Sequence, residues 1–354
     1  MVVSRRGLAC LLGVAALGLA SRAGGQFPAA KPGPPPRVFA FLSGAGGAEL
    51  EHLRRYGSRI SVLAPNWYEL NISDQTLSGT PSQPVVAATR AAGAELWPVV
   101  NARLGPDAVI GNYQARDRIA RAIAVEAAAR GYAGITLDIE PLAVSQSGAY
   151  SGLVEAVAAR LHAQHEQLAV YVPRRTVQGG DRAYDWLTLA RYADLLIASG
   201  YDERTASDPP GPITTAAGFA QMLDYAAGVS RWRVAPALGA FGYIWPARGG
   251  PGELLSTVAA DQLRRQARAR LRGGGSDTFF TADGSIVYYQ TSAALAARAR
   301  DARDAGMRWL ALFSLGREPD SFWSHITTAR QAASPATADL APGHRQPKRP
   351  TRRR

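Results

Sequence analysis

Through the middle of the chain, short apolar runs alternate with amphipathic stretches in a strand-then-helix rhythm. Val38 to Leu42, Ile60 to Pro65, Leu96 to Asn101, the stretch Gly131 to Leu142, Leu168 to Val172, Leu195 to Gly200, Val234 to Trp245 and Trp309 to Ser314 read as strands, most of them bounded by turn residues. Helical character fills the gaps at 47–56, 85–92, 116–130, 152–165, 186–192, 216–229 and 292–305, with a closing helix around 322–331. Before the last strand, 254–271 reads as a basic helical segment. Thr278 to Phe280 and Ser285 to Tyr289 flank Asp283-Gly284, the tight turn of a hairpin, and with that segment form a small insertion near the seventh strand. Eight strands alternating with helices favour the α/β class and a (β/α)8 TIM barrel over an open doubly wound sheet.

The ends of the chain read differently. Ser4-Arg5-Arg6 precedes an apolar run to Ala20 and small residues suited to cleavage near Ala20 or Ala23, so 1–23 is expected to be a signal peptide, of the general secretory or the twin-arginine type. The run is too short to span a bilayer comfortably, and no other segment is a membrane candidate. The protein is thus expected to be exported, periplasmic or extracellular, with no integral membrane segment after cleavage. Residues 24–36, with Pro34-Pro35-Pro36, read as a Pro-rich linker, and 37–332 as the barrel. Cys10 is the single cysteine and falls inside the signal, so the mature chain would rest on packing without disulfides. The net charge of +12 owes much to the tail, 333–354, which ends Lys348-Arg349-Pro350-Thr351-Arg352-Arg353-Arg354. It reads as a disordered basic segment that could be drawn to an anionic cell-wall polymer or could simply solubilise the terminus.

Chemistry concentrates on the fourth strand. Ile135, Leu137 and Ile139 alternate with Thr136, Asp138 and Glu140, which places the apolar set on one face and the two carboxylates side by side on the other, with Pro141 ending the strand. Neighbouring carboxylates cannot both ionise at their free-solution cost, so one is expected to hold a proton near neutral pH, as a general acid must. In a barrel the carboxyl ends of the strands form the active face. Three further ends carry polar and aromatic residues there: Asn66-Trp67-Tyr68 after the second, Tyr201-Asp202 after the sixth, and Tyr243 with Trp245 after the seventh. Aromatic faces beside acids suit a sugar ring.

With those residues in place, the chain resembles family 18 glycoside hydrolases, most closely their spore-cortex-lytic, peptidoglycan-acting branch. Gly131 to Glu140 is similar to the fourth-strand signature Asp-x-x-Asp-x-Asp-x-Glu. Ser61 to Leu77 resembles the branch's second-strand region, Gly200-Tyr201-Asp202-Glu203 its sixth-strand Tyr-Asp, and Gly239 to Trp245 and Leu315-Gly316-Arg317-Glu318 with Trp323 its last segments. The resemblance implies a hydrolase of β-linked N-acetylhexosamine glycans, peptidoglycan or chitin-like, in which Glu140 protonates the leaving oxygen and the substrate's own acetamido group attacks the anomeric carbon. It further implies that Asp138 orients that group, that Tyr201 bonds to it with Asp202 alongside, and that Tyr68 lines the same subsite. Ala133 and Thr136 stand where the signature has its first two aspartates, and Phe313 where a tryptophan usually floors the subsite. Those departures keep open a non-catalytic glycan-binding protein on the same barrel.

Other chemistries find less support. Gly44-Ala45-Gly46-Gly47 with Glu69 hints at a dinucleotide fingerprint, but Glu49 stands where its third glycine belongs. His162 and His165 lack a third ligand, so no metal is expected, and no cofactor. No nucleophile elbow is present. Arg264, Arg265, Arg268, Arg270 and Arg272 read as a solvated face, so nucleic acid is not an expected partner.

Overall fold

The computed structural model describes residues 33–44, 46–103, 110–272, 277–282 and 284–332. The expected signal peptide, most of the linker and the basic tail lie outside the described residues. Among the described residues, no helix is long and apolar enough to cross a membrane.

Eight parallel strands close on themselves as the rhythm predicts: β1 (Arg37–Leu42), β2 (Val62–Asn71), β3 (Val99–Ala102), β4 (Gly134–Ile139), β5 (Gln167–Val172), β6 (Leu195–Ser199), β7 (Val234–Gly239) and β8 (Trp309–Phe313). Each pairs with the next in sequence. Closure comes from β1, which pairs with both β2 and β8. Alternation then sorts the side chains into two cores. Val38, Ile135, Leu137, Ile139, Leu168 and Leu310 pack outward under the helices, whereas Phe39, Phe41, Val62, Val99, Ala169 and Ala311 fill the barrel.

Local chemistry fixes where each helix hands over to a strand. The helix Tyr113–Arg130 starts on Asn112, whose side chain accepts from the Gln114 and Ala115 amides, and ends at Gly131 with φ +66. That left-handed glycine turns the chain directly into β4. Gly134 then passes so close to the Trp97 ring that a Cβ there would lie 2.8 Å from it.

Three expectations need correction. β2 runs on through Asn66 to Asn71 and pairs antiparallel with Thr76–Gly79, so the aromatic residues are in the strand rather than in a loop after it. Val234 to Trp245 is two strands: the Ala240 amide makes the last bond to β8, at the Phe313 carbonyl, its carbonyl accepts from the Thr257 amide instead, and Phe241–Trp245 starts a separate sheet. The segment expected to be helical from 254 begins as a strand, Glu253–Ser256, and its helix is Thr257–Gln266. Glu253–Ser256, Phe241–Trp245, Ser285–Gln290 and Asp277–Ala282 form an antiparallel four-stranded insertion. Its expected hairpin is present, with Gly284 at φ +78; Asp283 lies outside the described residues. The side chains of Phe241, Tyr243 and Trp245 belong to the same apolar cluster as the barrel interior, with Tyr288 packed against it, so the insertion extends one wall of the mouth.

Candidate active site

The inward face of β4 carries the centre of the site. Thr136 is fully buried and donates to the Trp97 carbonyl at 2.9 Å. Above it comes Asp138, partly buried, and above that Glu140, whose tip opens to solvent at the strand's carboxyl end. Tyr184 donates its hydroxyl to the Ile139 carbonyl at 2.8 Å, pinning the backbone between the two acids.

Both carboxyls are held protonated well beyond their ordinary range. Burial, with the Glu69 charge adding to it, pushes Asp138 up to about 6, and its Oδ1 has no hydrogen-bond partner among the described residues. Protein packed around Glu140 pushes it up to about 8, helped by the charges of Asp138, Asp202 and Asp181 and opposed by Arg103. A group ionising near 8 is still an acid at neutral pH, which is the state proton donation requires.

Facing this pair are the residues after β6. Tyr201 is buried, its ring 5.3 Å from Phe241 and 5.9 Å from Phe313, and burial together with the Asp202, Asp138 and Glu140 charges keeps its hydroxyl neutral. Asp202, at φ +66, accepts from the Ser199 hydroxyl at 2.9 Å and from the Tyr171 hydroxyl at 3.4 Å. Burial raises its pKa and those hydroxyls lower it, with burial the larger. Phe313 closes the floor 5.7 Å from Phe41. Tyr243 and Trp245 stack edge-on at 5.6 Å on the insertion wall, with the Trp245 indole donating to the Asp208 carbonyl.

The second strand behaves differently from expectation. A bulge between Asn66 and Tyr68 shifts the alternation by one residue. Asn66 points inward and accepts from the Asn101 amide. Tyr68 points outward, its hydroxyl bonded at 2.8 Å to both Glu126 and Tyr132, and the Trp67 ring lies 6.4 Å from that same Tyr132. The structure therefore puts Tyr68 and Trp67 beneath the flanking helix, away from the subsite that the resemblance implied for Tyr68. In their place Glu69 comes to the mouth, level with Asn101, which is in turn level with Asp138.

Sequence reasoning missed Glu69, Asn101, Tyr171 and Tyr184. Tyr171 and Asn101 were findable, since each alternates with outward apolar neighbours on its strand. Glu69 was hidden by the bulge. Among the described residues no cluster of His, Cys, Asp and Glu could hold a metal ion; His162 instead pairs with Asp194 at 2.8 Å.

No protein-family model matches the chain. A curated relative from Bacillus subtilis (strain 168), the uncharacterized glycosylase YvbX, is 21% identical over 304 residues, covering 79% of this chain and 87% of that protein. Among solved structures, a chitinase from Chromobacterium violaceum ATCC 12472 superimposes with a TM-score of 0.75 at 22% identity, over 84% of this chain and 99% of that one. The Bacillus cereus spore cortex-lytic enzyme SleL does so with a TM-score of 0.73 at 16% identity, over 84% and 76%. The likeness to a chitinase-type barrel that the strand motifs implied holds for the fold as a whole.

Proposed function

We propose that this chain is an exported glycoside hydrolase that cleaves β-linked N-acetylhexosamine glycans by substrate-assisted, retaining hydrolysis. The observation that carries the reading is Glu140, a carboxyl held protonated to about 8 at the open end of β4, directly above a second buried carboxyl. The glycosylase and chitinase names of the relatives support the same class.

The residues divide the reaction as follows. Glu140 donates its proton to the glycosidic oxygen as the bond to the anomeric carbon breaks. The substrate's acetamido oxygen attacks that carbon, and ionised Asp138 accepts the acetamido N–H, raising the oxygen's nucleophilicity. Tyr201 donates to the same acetamido group from across the mouth, with Asp202 beside it. Phe313 lies under the sugar, and Tyr243 and Trp245 stack on neighbouring rings along the insertion wall. Glu140, now a carboxylate, takes a proton from the water that opens the cyclic intermediate, which restores it as an acid.

Wall peptidoglycan or a related surface polysaccharide ranks ahead of chitin-like oligomers, because a chain of net charge +12 is drawn to anionic polymers and its basic tail could add to that attraction. The test is release of reducing ends from purified wall glycan and from N-acetylglucosamine oligomers, comparing wild type with Glu140→Gln. Turnover by wild type and a loss of about a hundredfold or more in the variant, with the thermal midpoint kept or raised because a carboxyl held above its ordinary pKa destabilises the fold, are expected. Equal activity of the two would remove Glu140 from the reaction. No turnover by either, with oligomers still raising the melting temperature, would make the barrel a glycan receptor.

A further inference from the structure

Arg317 is a strongly basic group at the mouth that the proposed hydrolysis does not use. Arg317 follows β8 in the turn Leu315-Gly316-Arg317-Glu318, and its guanidinium carbon lies 5.8 Å from the centre of the Phe313 ring. Its Nη1 is buried and has no hydrogen-bond partner among the described residues. The charges that act on it are those of Glu49 and Tyr243, and no ion pair within 4.0 Å joins it to an acid among the described residues. Burial lowers its pKa and the Glu49 charge opposes that, so the group is partly desolvated with no acid hydrogen-bonded to its Nη1 among the described residues.

The turn is held rigidly. Glu318 is fully buried and accepts from the Trp323 indole at 2.7 Å, from the Gly316 amide at 2.9 Å and from His52. The helix Thr257–Gln266 ties this turn to the insertion, since the Val258 amide donates to the Arg317 carbonyl and the Thr257 hydroxyl to the Gln290 carbonyl. Gln290 itself is buried with both amide atoms unpartnered among the described residues, and it alternates with Tyr288 on the sheet face that bears Tyr243. The backbone at Arg317 and at Gln290 is thus held by successive residues of one helix, which fixes the turn against the sheet that carries Tyr243.

Resting on the glycosidase reading above, we propose that Arg317 forms a carboxylate-reading subsite, so that the preferred glycan carries a carboxylate on a sugar next to the N-acetylhexosamine that is cut. A planar guanidinium offers two parallel N–H donors to a carboxylate, a stronger and more directional match than to a neutral hydroxyl. The acid would be an O-linked lactyl ether or a uronate; both present the same two oxygens.

The experiment measures kcat/KM on one N-acetylhexosamine polymer bearing lactyl carboxylates, on a uronate-bearing polymer, and on each after its carboxylates are reduced to alcohols. Wild type is expected to prefer an acidic form to its reduced form by about tenfold or more. Arg317→Gln should collapse that ratio towards one, and Arg317→Lys should restore part of it through charge alone. The lactyl and uronate arms distinguish the source of the carboxylate. A wild-type ratio near one on both, or a ratio unchanged in Arg317→Gln, overturns the proposal. The same four polymers are titrated onto Glu140→Gln and onto its Arg317→Gln double variant by thermal shift. Should wild type turn over nothing, the hydrolase reading fails while this binding ratio still decides for or against the subsite.

Discussion

Asp138 is a destabilising residue at neutral pH, and replacing it should make the fold stronger while it abolishes the chemistry. Its carboxyl ionises near 6 in the folded chain against an ordinary value of 3.8. The folded state therefore binds the proton more tightly than the unfolded state between those values. For an acid raised in this way, stability falls as pH climbs from about 4 and stays reduced above about 6. A difference of about two pKa units corresponds to roughly 3 kcal/mol once both states are ionised. Asp138→Asn keeps the shape and removes the charge. At pH 4 it should be neutral in stability, and by pH 7.5 it should be the more stable protein by roughly 2–3 kcal/mol, a little of which is relief of repulsion from Glu69. Urea unfolding followed by circular dichroism at the two pH values reads the difference directly. A gain of equal size at both, or a loss at pH 7.5, would refute the claim that Asp138 is held in a hostile environment, and with it the claim that Glu140 owes part of its raised pKa to an ionised neighbour.

Three further outcomes follow from the same geometry. The pH profile of kcat/KM should be bell-shaped, with an acid limb near 6 for ionising Asp138 and an alkaline limb near 8 for losing the Glu140 proton; initial rates of reducing-end release from pH 4 to 10 measure it, and because the acids interact, the apparent values belong to the pair. Tyr68→Phe removes a buried hydroxyl bonded to Glu126 and Tyr132, so a loss of about 1 kcal/mol in stability with KM unchanged is expected, and a raised KM would return Tyr68 to the subsite. His52 has its pKa raised by its hydrogen bond to Glu318 above all, so its stabilising effect is full below its ordinary 6.5 and is lost as pH rises through the folded value; His52→Gln should cost more at pH 5.5 than at pH 8.5 in a urea titration.

Much of this was readable before any coordinates. The inward face of β4 follows from period-two alternation alone, because Ile135, Leu137 and Ile139 had to go under the helices and so sent Asp138 and Glu140 to the mouth. Barrel closure followed from the count and rhythm of the strands. What alternation could not reveal were its own interruptions. The bulge in β2 inverted the faces of Tyr68 and Glu69 while leaving Trp67 outward, since one extra residue moves every later side chain across the sheet. At Ala240 one long apolar run divides into a barrel strand and a strand of the insertion, a change set by pairing with Thr257 and with strands that come later in the chain. Arg317 looked like part of a turn motif. Only packing reveals that its guanidinium lies against Phe313 with a buried, unpartnered Nη1 among the described residues.

The loss of the signature's lower aspartates changes how the remaining acids must share a proton. Where the resembled signature has its first two carboxyls, this chain has Ala133, packed against the interior cluster, and Thr136, whose hydroxyl is spent on the Trp97 carbonyl. No acid therefore stands below Asp138 to take up its proton, and its buried Oδ1 has no partner among the described residues. Charge relief has to come from above or from the side. Above is Glu140, which holds its own proton to about 8; at the side is Glu69, level with Asn101 and Asp138 across three strands, which as an anion only raises the cost of ionising Asp138. Asp138 and Glu140 thus titrate as one pair through the neutral range, with the lower acid giving up its proton first. A substrate acetamido N–H delivered to Asp138 would supply the hydrogen bond that the missing aspartate does not, so binding itself should pull the Asp138 pKa down and widen the acid side of the kcat profile relative to that of kcat/KM.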